Sequence, residues 1–391
     1  MALAACGANS GSGGVGAGHF KVGVILPTSG ALADTYGASY QSGLDYVFDK
    51  INDRGGIKCE DGSTHKVTTK VYDDAMTPDV AQTAARSALD DRNQLIVGPI
   101  GSATASAVQP LMGASKAAWL VSPAQVDGPA RLPNVFQTAP VGDASEKALS
   151  DYLKTATKIQ RIGIITDKKH PGKVALEPVV VDNLKKMGKD VIAQDHFSTG
   201  DTDFRAQLSK MIAAHLDILL VRGYPVEDAL ILSQLAELGA HFVVDIDTGW
   251  TTEETRRLVE EKTLTAFPDL LMHVPTFSLE QSLKAHNPIA QEVAKGVGDK
   301  AGIFTAIAHD TAIMAKKALE ETCSTDPQKL IHALEKMKVS DISDQVITPS
   351  IPFDHDLLFG PKSGEPPLQH RVNQAALLLQ WDPAEGWVPM G

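Results

Sequence analysis

The chain has 391 residues, more than one hydrophobic core usually supports, so two domains are the expected organisation. With 43% apolar and 21% charged residues it reads as a globular protein. It contains no run of ~18 apolar residues that would span a bilayer. A formal net charge of −12, offset by no block of basic residues, argues against nucleic acid or an anionic membrane surface as partner.

Three cysteines are present, Cys6, Cys59 and Cys323, with no C-x-x-C and no Cys/His spacing of a zinc site, so no structural metal is expected. Gly, Ser, Ala and Asn dominate residues 7–18, the composition of a flexible tether. Just before it, Leu3-Ala4-Ala5-Cys6-Gly7 resembles the lipobox of bacterial lipoproteins, in which the cysteine is acylated and becomes the mature N-terminus. That reading assigns lipidation to Cys6 and leaves Cys59 and Cys323 as a candidate disulfide in an oxidising compartment. The tether also spells Gly11-Ser12-Gly13-Gly14-Val15-Gly16, a formal G-x-G-x-x-G. A dinucleotide fingerprint must follow a strand and open a helix, whereas this one precedes the first strand, so it is set aside.

The first predicted strand, 21–26, ends in the turn Pro27-Thr28-Ser29-Gly30. A helix follows with Tyr40, Leu44, Val47, Phe48 and Ile51 on one face, and glycines at 55 and 56 stop it. A strand at 67–72 leads to a helix with Thr77 as N-cap and Pro78 in its first turn. Next comes an apolar run from Leu95, broken by Gly98-Pro99-Ile100-Gly101 and followed by Ser102, Thr104 and Ser106. A buried strand feeding a helix N-terminus offers unpaired N–H groups and a short hydroxyl, which suit a carboxylate. A strand at 118–122 closes this half. Alternating βα units imply a parallel sheet covered on both faces, with ligands beyond the strands' carboxyl ends, where Thr28, Ser29, Ser102 and Ala124 fall.

The pattern repeats with strands at 161–166, 191–197, 217–222, 241–247 and 270–275 and helices between them. Two α/β halves of domain size imply a cleft. Helices at 305–321 and 327–337 follow, and a Pro- and Gly-rich tail ends in a further apolar run at 375–381. The sequence shows no G-x-S-x-G elbow, H-E-x-x-H or P-loop. Ser63-Thr64-His65-Lys66 matches S-x-x-K only formally, in a polar turn, and His309-Asp310 reads as structural.

Stretches 22–30, 51–57 (Ile-Asn-Asp-Arg-Gly-Gly-Ile), 97–106, 135–140 with Asp143, 200–208 and 223–232 carry a family resemblance in their order and spacing. The chain resembles the type I periplasmic solute-binding proteins of ABC importers, in the branched-chain amino acid (Leu/Ile/Val) group. The resemblance implies two Rossmann-like lobes joined by a three-strand hinge, with crossings near residues 141, 273 and 345. Lobe 1 would comprise 19–141 plus 274–345, and lobe 2 would comprise 142–273 plus 346–391. It further implies a monomer without cofactor or enzymatic activity, delivering a small molecule to ABC permease subunits by hinge closure. A ligand sensor acting on a receptor or regulator is the alternative, and an NAD-dependent or hydrolytic enzyme a remote one.

Carried over by position, the family's carboxylate-binding serine is Ser102, its covering aromatic Tyr36, and its backbone contact Ala124. Tyr224 resembles the hinge-side tyrosine, and Asp247 the acid that accepts the ligand's ammonium. Three positions depart from the pattern. Val126 stands where a threonine assists the carboxylate, His170 or Pro171 replaces a tyrosine, and Arg222 occupies a position usually held by a small residue. Arg222 is expected either to bind a second ligand carboxylate or to form a salt bridge at the cleft edge.

Overall fold

The computed structural model describes residues 18–124, 126, 128–140, 146–247, 249–274, 278–348, 356–360, 370–372 and 376–390. Cys6 lies outside these residues.

Strands β1 (Gly18–Leu26), β2 (Ile57–Lys58), β3 (Thr64–Asp73), β4 (Leu95–Val97), β5 (Ala118–Val121) and β6 (Val135–Gln137) form one sheet in the order β2-β3-β1-β4-β5-β6. A second sheet holds β7 (Arg161–Asp167), β8 (Asp190–Phe197), β9 (Ile218–Arg222), β10 (Val243–Ile246), β11 (Leu271–Val274), β12 (Leu377–Asp382) and β13 (Gly386–Pro389), ordered β13-β12-β11-β10-β9-β7-β8.

The apolar runs become strands because both faces of each sheet are covered. Along β1, Val22, Val24 and Leu26 enter one core while Ile25 enters the opposite one. In β4 and β5, Leu95, Val97, Ala118 and Leu120 point with the former, and Ile96, Trp119 and Val121 with the latter. The second sheet alternates likewise, with Leu219 and Val221 on one face and Ile218 and Leu220 on the other. Side chains of period two, buried on both sides, need continuous apolar sequence rather than an alternating one. Where the first sheet's helices meet, Gly43 lets the helix Ser39–Asp53 approach the helix Thr305–Thr322, since a Cβ there would strike the Thr305 carbonyl.

The sequence led us to expect parallel sheets, but each sheet is mixed. β2 pairs antiparallel with β3, and β12 pairs antiparallel with both β11 and β13. The β2–β3 and β12–β13 links are a few residues long, and so short a link permits only antiparallel pairing. β6 and the helices Lys147–Thr155, Thr252–Leu258, Glu261–Ala266, Leu279–Lys284 and Pro288–Val297 add to the predicted elements.

Residues past the third expected crossing, near 345, still contribute to the first sheet's core. Val346, Leu358, Phe359 and Val372 lie in the first sheet's core, and Gln137 of β6 bridges in parallel to Arg371. Among the described residues past 345, the first to join a strand of the second sheet is Leu377, and residues 358, 359, 371 and 372 pack or pair with the first sheet. Apolar side chains facing that core hold this segment in place. Of the other two expected crossings, residue 141 lies outside the described residues and His273 is the third residue of β11. Cys59, just beyond β2, and Cys323, the left-handed C-cap of the helix Thr305–Thr322, form a disulfide with Cα atoms 5.7 Å apart.

Candidate functional site

β4, β5, β9, β10 and β11 direct their carboxyl ends toward one cleft of about 680 Å³, its open mouth included. Strand tips are where parallel sheets leave backbone donors and loop side chains unpaired.

On the first-sheet side, Gly98 follows β4 at φ 93°, with no room for a Cβ beside the Ile25 carbonyl. Glycine alone accepts both constraints. The chain then runs through Ile100 and Gly101, both on the cleft, into the helix Ser102–Ala114. Ser102, buried in the first turn of that helix, lines the cleft where N–H groups favour an anionic or carbonyl oxygen. Tyr36, in the π-helical turn Ala33–Ala38, packs edge-on to Phe304 with ring centroids 4.6 Å apart. Burial raises its phenol pKa well above the usual value, so it stays neutral. Met76, Ile303 and Phe304 extend this apolar wall.

On the second-sheet side, Tyr224 follows β9 as the N-cap residue of the helix Pro225–Glu237. Its ring lies 4.6 Å from that of His170 and packs against the first sheet's core. Burial pushes its phenol pKa up as well. His170 caps the helix Pro171–Lys186, its Nδ1 accepting the Lys173 N–H at 3.3 Å. Burial first, and then the Lys173 charge, hold its pKa well below the ordinary value, so the ring is neutral. The helix Ser102–Ala114 packs against the helix Pro171–Lys186, so the two halves meet beside the cleft.

Asp247 follows β10 and is 4% exposed. Its Oδ2 pairs with Lys173 Nζ, and Arg222 Nε lies 3.5 Å from the same oxygen. Asp247 Oδ1 is buried with no hydrogen-bond partner among the described residues. Behind it, Arg222 reaches Asp245 at 2.9 Å and Glu146 at 3.4 Å. His273 presents Nδ1 to Asp245 at 3.0 Å and Nε2 to Glu146 at 3.3 Å. Burial works against the charged forms, yet the opposing charges prevail. The Glu146 carboxyl is held well below the carboxylate range, chiefly by Arg222 and His273, and His273 is held up at about 9 by Asp245 and Glu146. Glu146, Asp247 and His273 bring donor atoms within 4.8 Å of one another. Arg222 and Lys173 already supply the positive charge there, so the group fits an ion-pair network better than a metal centre.

The structure thus brings Tyr36, Ser102, His170, Tyr224 and Asp247 to one cleft. Arg222 is not on its lining, and its guanidinium faces three carboxylates of the chain itself, so the salt-bridge alternative describes it and the ligand-carboxylate role does not. Ala124 and Val126 do not line the cleft either. Gln137 Nε2 donates to their carbonyls at 3.3 and 2.6 Å, and Pro123 lines the cleft in their place. Thr28 and Ser29 are tied to Asp73 instead. Asp310 accepts the backbone N–H groups of Ile347 and Thr348 and pairs with His309, a packing role. Sequence reasoning missed Lys173, Phe304, Met76 and Ser278, because each comes from a segment whose partner across the cleft is remote in sequence.

A family model described as periplasmic binding protein matches residues 19–386. The chain is 29% identical over 226 residues to the Leu/Ile/Val-binding protein BraC3 of Rhizobium johnstonii, an alignment spanning 57% of this chain and 59% of that relative. It is 27% identical over 312 residues to Leu/Ile/Val-binding protein homolog 3 of Brucella melitensis, across 78% of this chain and 80% of that one. Its fold superimposes on the branched-chain amino acid transporter substrate-binding protein LivJ of Streptococcus pneumoniae, solved with isoleucine, at a TM-score of 0.75. That match has 20% identity and covers 95% of this chain and 100% of the other, which speaks to the fold alone. With two α/β sheets meeting at a cleft and a family model matched along nearly its full length, the chain belongs to the periplasmic binding protein family.

Proposed function

We propose that this protein binds a small solute outside the cytoplasm and delivers it to the permease of an ABC importer. The observation that carries the reading is the convergence of strand tips from both sheets on one cleft, with Ser102 on one side and Tyr224 and Asp247 on the other. A solute carboxylate would meet Ser102 and the helix N-terminus, its apolar part would lie against Tyr36 and Phe304, and its other polar end would face Asp247. Bridging both halves, the solute would favour the arrangement in which they close on it. The lobes would be the two sheets with their helices, the strand-linking segments serving as hinge, and the protein would act as a monomer. Acylation of Cys6 would tether it to the membrane through the Gly/Ser-rich stretch, a reading that radiolabelled fatty acid incorporation, and its loss in Cys6→Ser, would test.

Thermal shift followed by calorimetry against amino acids, hydroxy acids, aromatic carboxylates and amides tests the binding reading. At least one class is expected to bind, and Ser102→Ala is expected to weaken that binding by about 1–3 kcal/mol through loss of a buried donor. No stabilisation by any class would refute solute binding. Unchanged affinity in Ser102→Ala would refute the placement of the site.

A further inference from the structure

We propose, building on the solute-binding reading, that the polar end facing Asp247 is a neutral hydrogen-bond donor, a hydroxyl or a carboxamide, and not an ammonium group. Among the described residues lining the cleft only Lys173 and Asp247 are charged, and they are paired with each other. Both are at most 4% exposed on their side chains, so water screens neither.

The network behind them is closed as well. Three carboxylates, Glu146, Asp245 and Asp247, face three cations, Lys173, Arg222 and His273. His273 belongs with the cations by geometry, because each of its ring nitrogens faces a carboxylate and each must donate. Charges among these six groups therefore cancel before any solute arrives. Further carboxylates stand near, Asp228 and Glu254 by Tyr36 and Asp167 and Glu227 by Tyr224, but none of these four lines the cleft. Glu254 is engaged in a capping box with Thr251, and Asp228 sits in the first turn of the helix Pro225–Glu237. An ammonium at Asp247 would lie beside the Lys173 ammonium in a buried site, where like charges are costly and desolvation is uncompensated.

The remaining demand is uncharged. Asp247 Oδ1 is a buried acceptor lacking a donor among the described residues, and an orphaned acceptor of this kind favours any ligand that supplies one N–H or O–H. A hydroxyl does so without adding charge, and its oxygen is free to accept in return.

Matched pairs test this directly: L-leucine against L-leucic acid, and L-phenylalanine against L-phenyllactate, titrated calorimetrically into the intact protein. Each pair shares carboxylate and side chain and differs in ammonium against hydroxyl. The hydroxy acid is expected to bind at least about tenfold more tightly in a pair that binds. In Lys173→Met, which removes the competing cation, the preference is expected to shift toward the amino acid by a comparable factor. Amino acids binding as tightly as their hydroxy partners in the native protein would overturn the proposal while leaving solute binding intact. So would an unshifted preference in the folded variant, or binding of amino acids with none of hydroxy acids. Should no solute of any class bind, the broader reading falls and this one with it.

Discussion

At the scale of single residues, the decisive fact is that a buried charge is stable only when answered. Arg222 illustrates it: at the end of an apolar strand it would be untenable without Glu146, Asp245 and Asp247 around it. Arg222→Leu is expected to cost about 3–5 kcal/mol in urea unfolding, since it strands buried carboxylates. A loss below about 1 kcal/mol would show the network to be dispensable. The same network sets a pH dependence. His273 is held at about 9, above its unfolded value near 6.5, so its contribution is complete below about 6.5 and disappears as pH rises through about 9. Glu146 is shifted the other way, so its contribution is present above about 4.5 and fades as pH falls. Stability is expected to be greatest between those limits and to decline by about 3 kcal/mol toward alkaline pH. His273→Gln should flatten the alkaline limb of urea midpoints measured across pH, and an unaltered limb would assign it to other groups.

At the scale of elements, the strand and helix assignments follow from patterns local enough to be visible in sequence. The run from Leu95 ends at Gly98 because the next carbonyl to pack, that of Ile25, admits no side chain. The helix Pro327–Lys336 begins where Asp326 accepts two N–H groups of its first turn. Less legible were β6, three residues in a segment broken by Pro and Gly, and the short helices between 252 and 297, each too brief to establish a 3.6-residue period. The Cys59–Cys323 disulfide joins an edge strand to the end of a core helix across 264 residues of sequence. Closing so long a loop restricts the unfolded chain, and reduction or paired Cys→Ser substitution is expected to lower stability by about 2–4 kcal/mol. An unfolding midpoint unaffected by reductant would indicate that the bond constrains little, and intact mass with and without reductant would report on its presence.

At the scale of the whole molecule, two sheets with their own cores meet beside a cleft, an arrangement suited to opening and closing. A solute that binds the closed arrangement preferentially should reduce the radius of gyration in solution scattering. At about a hundred times its dissociation constant it should stabilise the protein by roughly 2.7 kcal/mol. Saturation with no change in scattering would mean that the halves do not move on binding.

By itself the sequence determined two α/β halves, and the family resemblance pointed to five residues that the structure brings to one cleft, Tyr36, Ser102, His170, Tyr224 and Asp247. The halves are a matter of periodicity and turns, written within a few residues of each other, and the five positions came from the order and spacing of the family's motifs. Only the tertiary structure decided that Arg222 faces inward to carboxylates and that residues 358, 359, 371 and 372 pack or pair with the first sheet. It alone set Lys173 against Asp247, 74 residues away. Electrostatic partnership depends on which side chains are brought within a few ångströms and cut off from water, and that is a consequence of packing that no local pattern encodes.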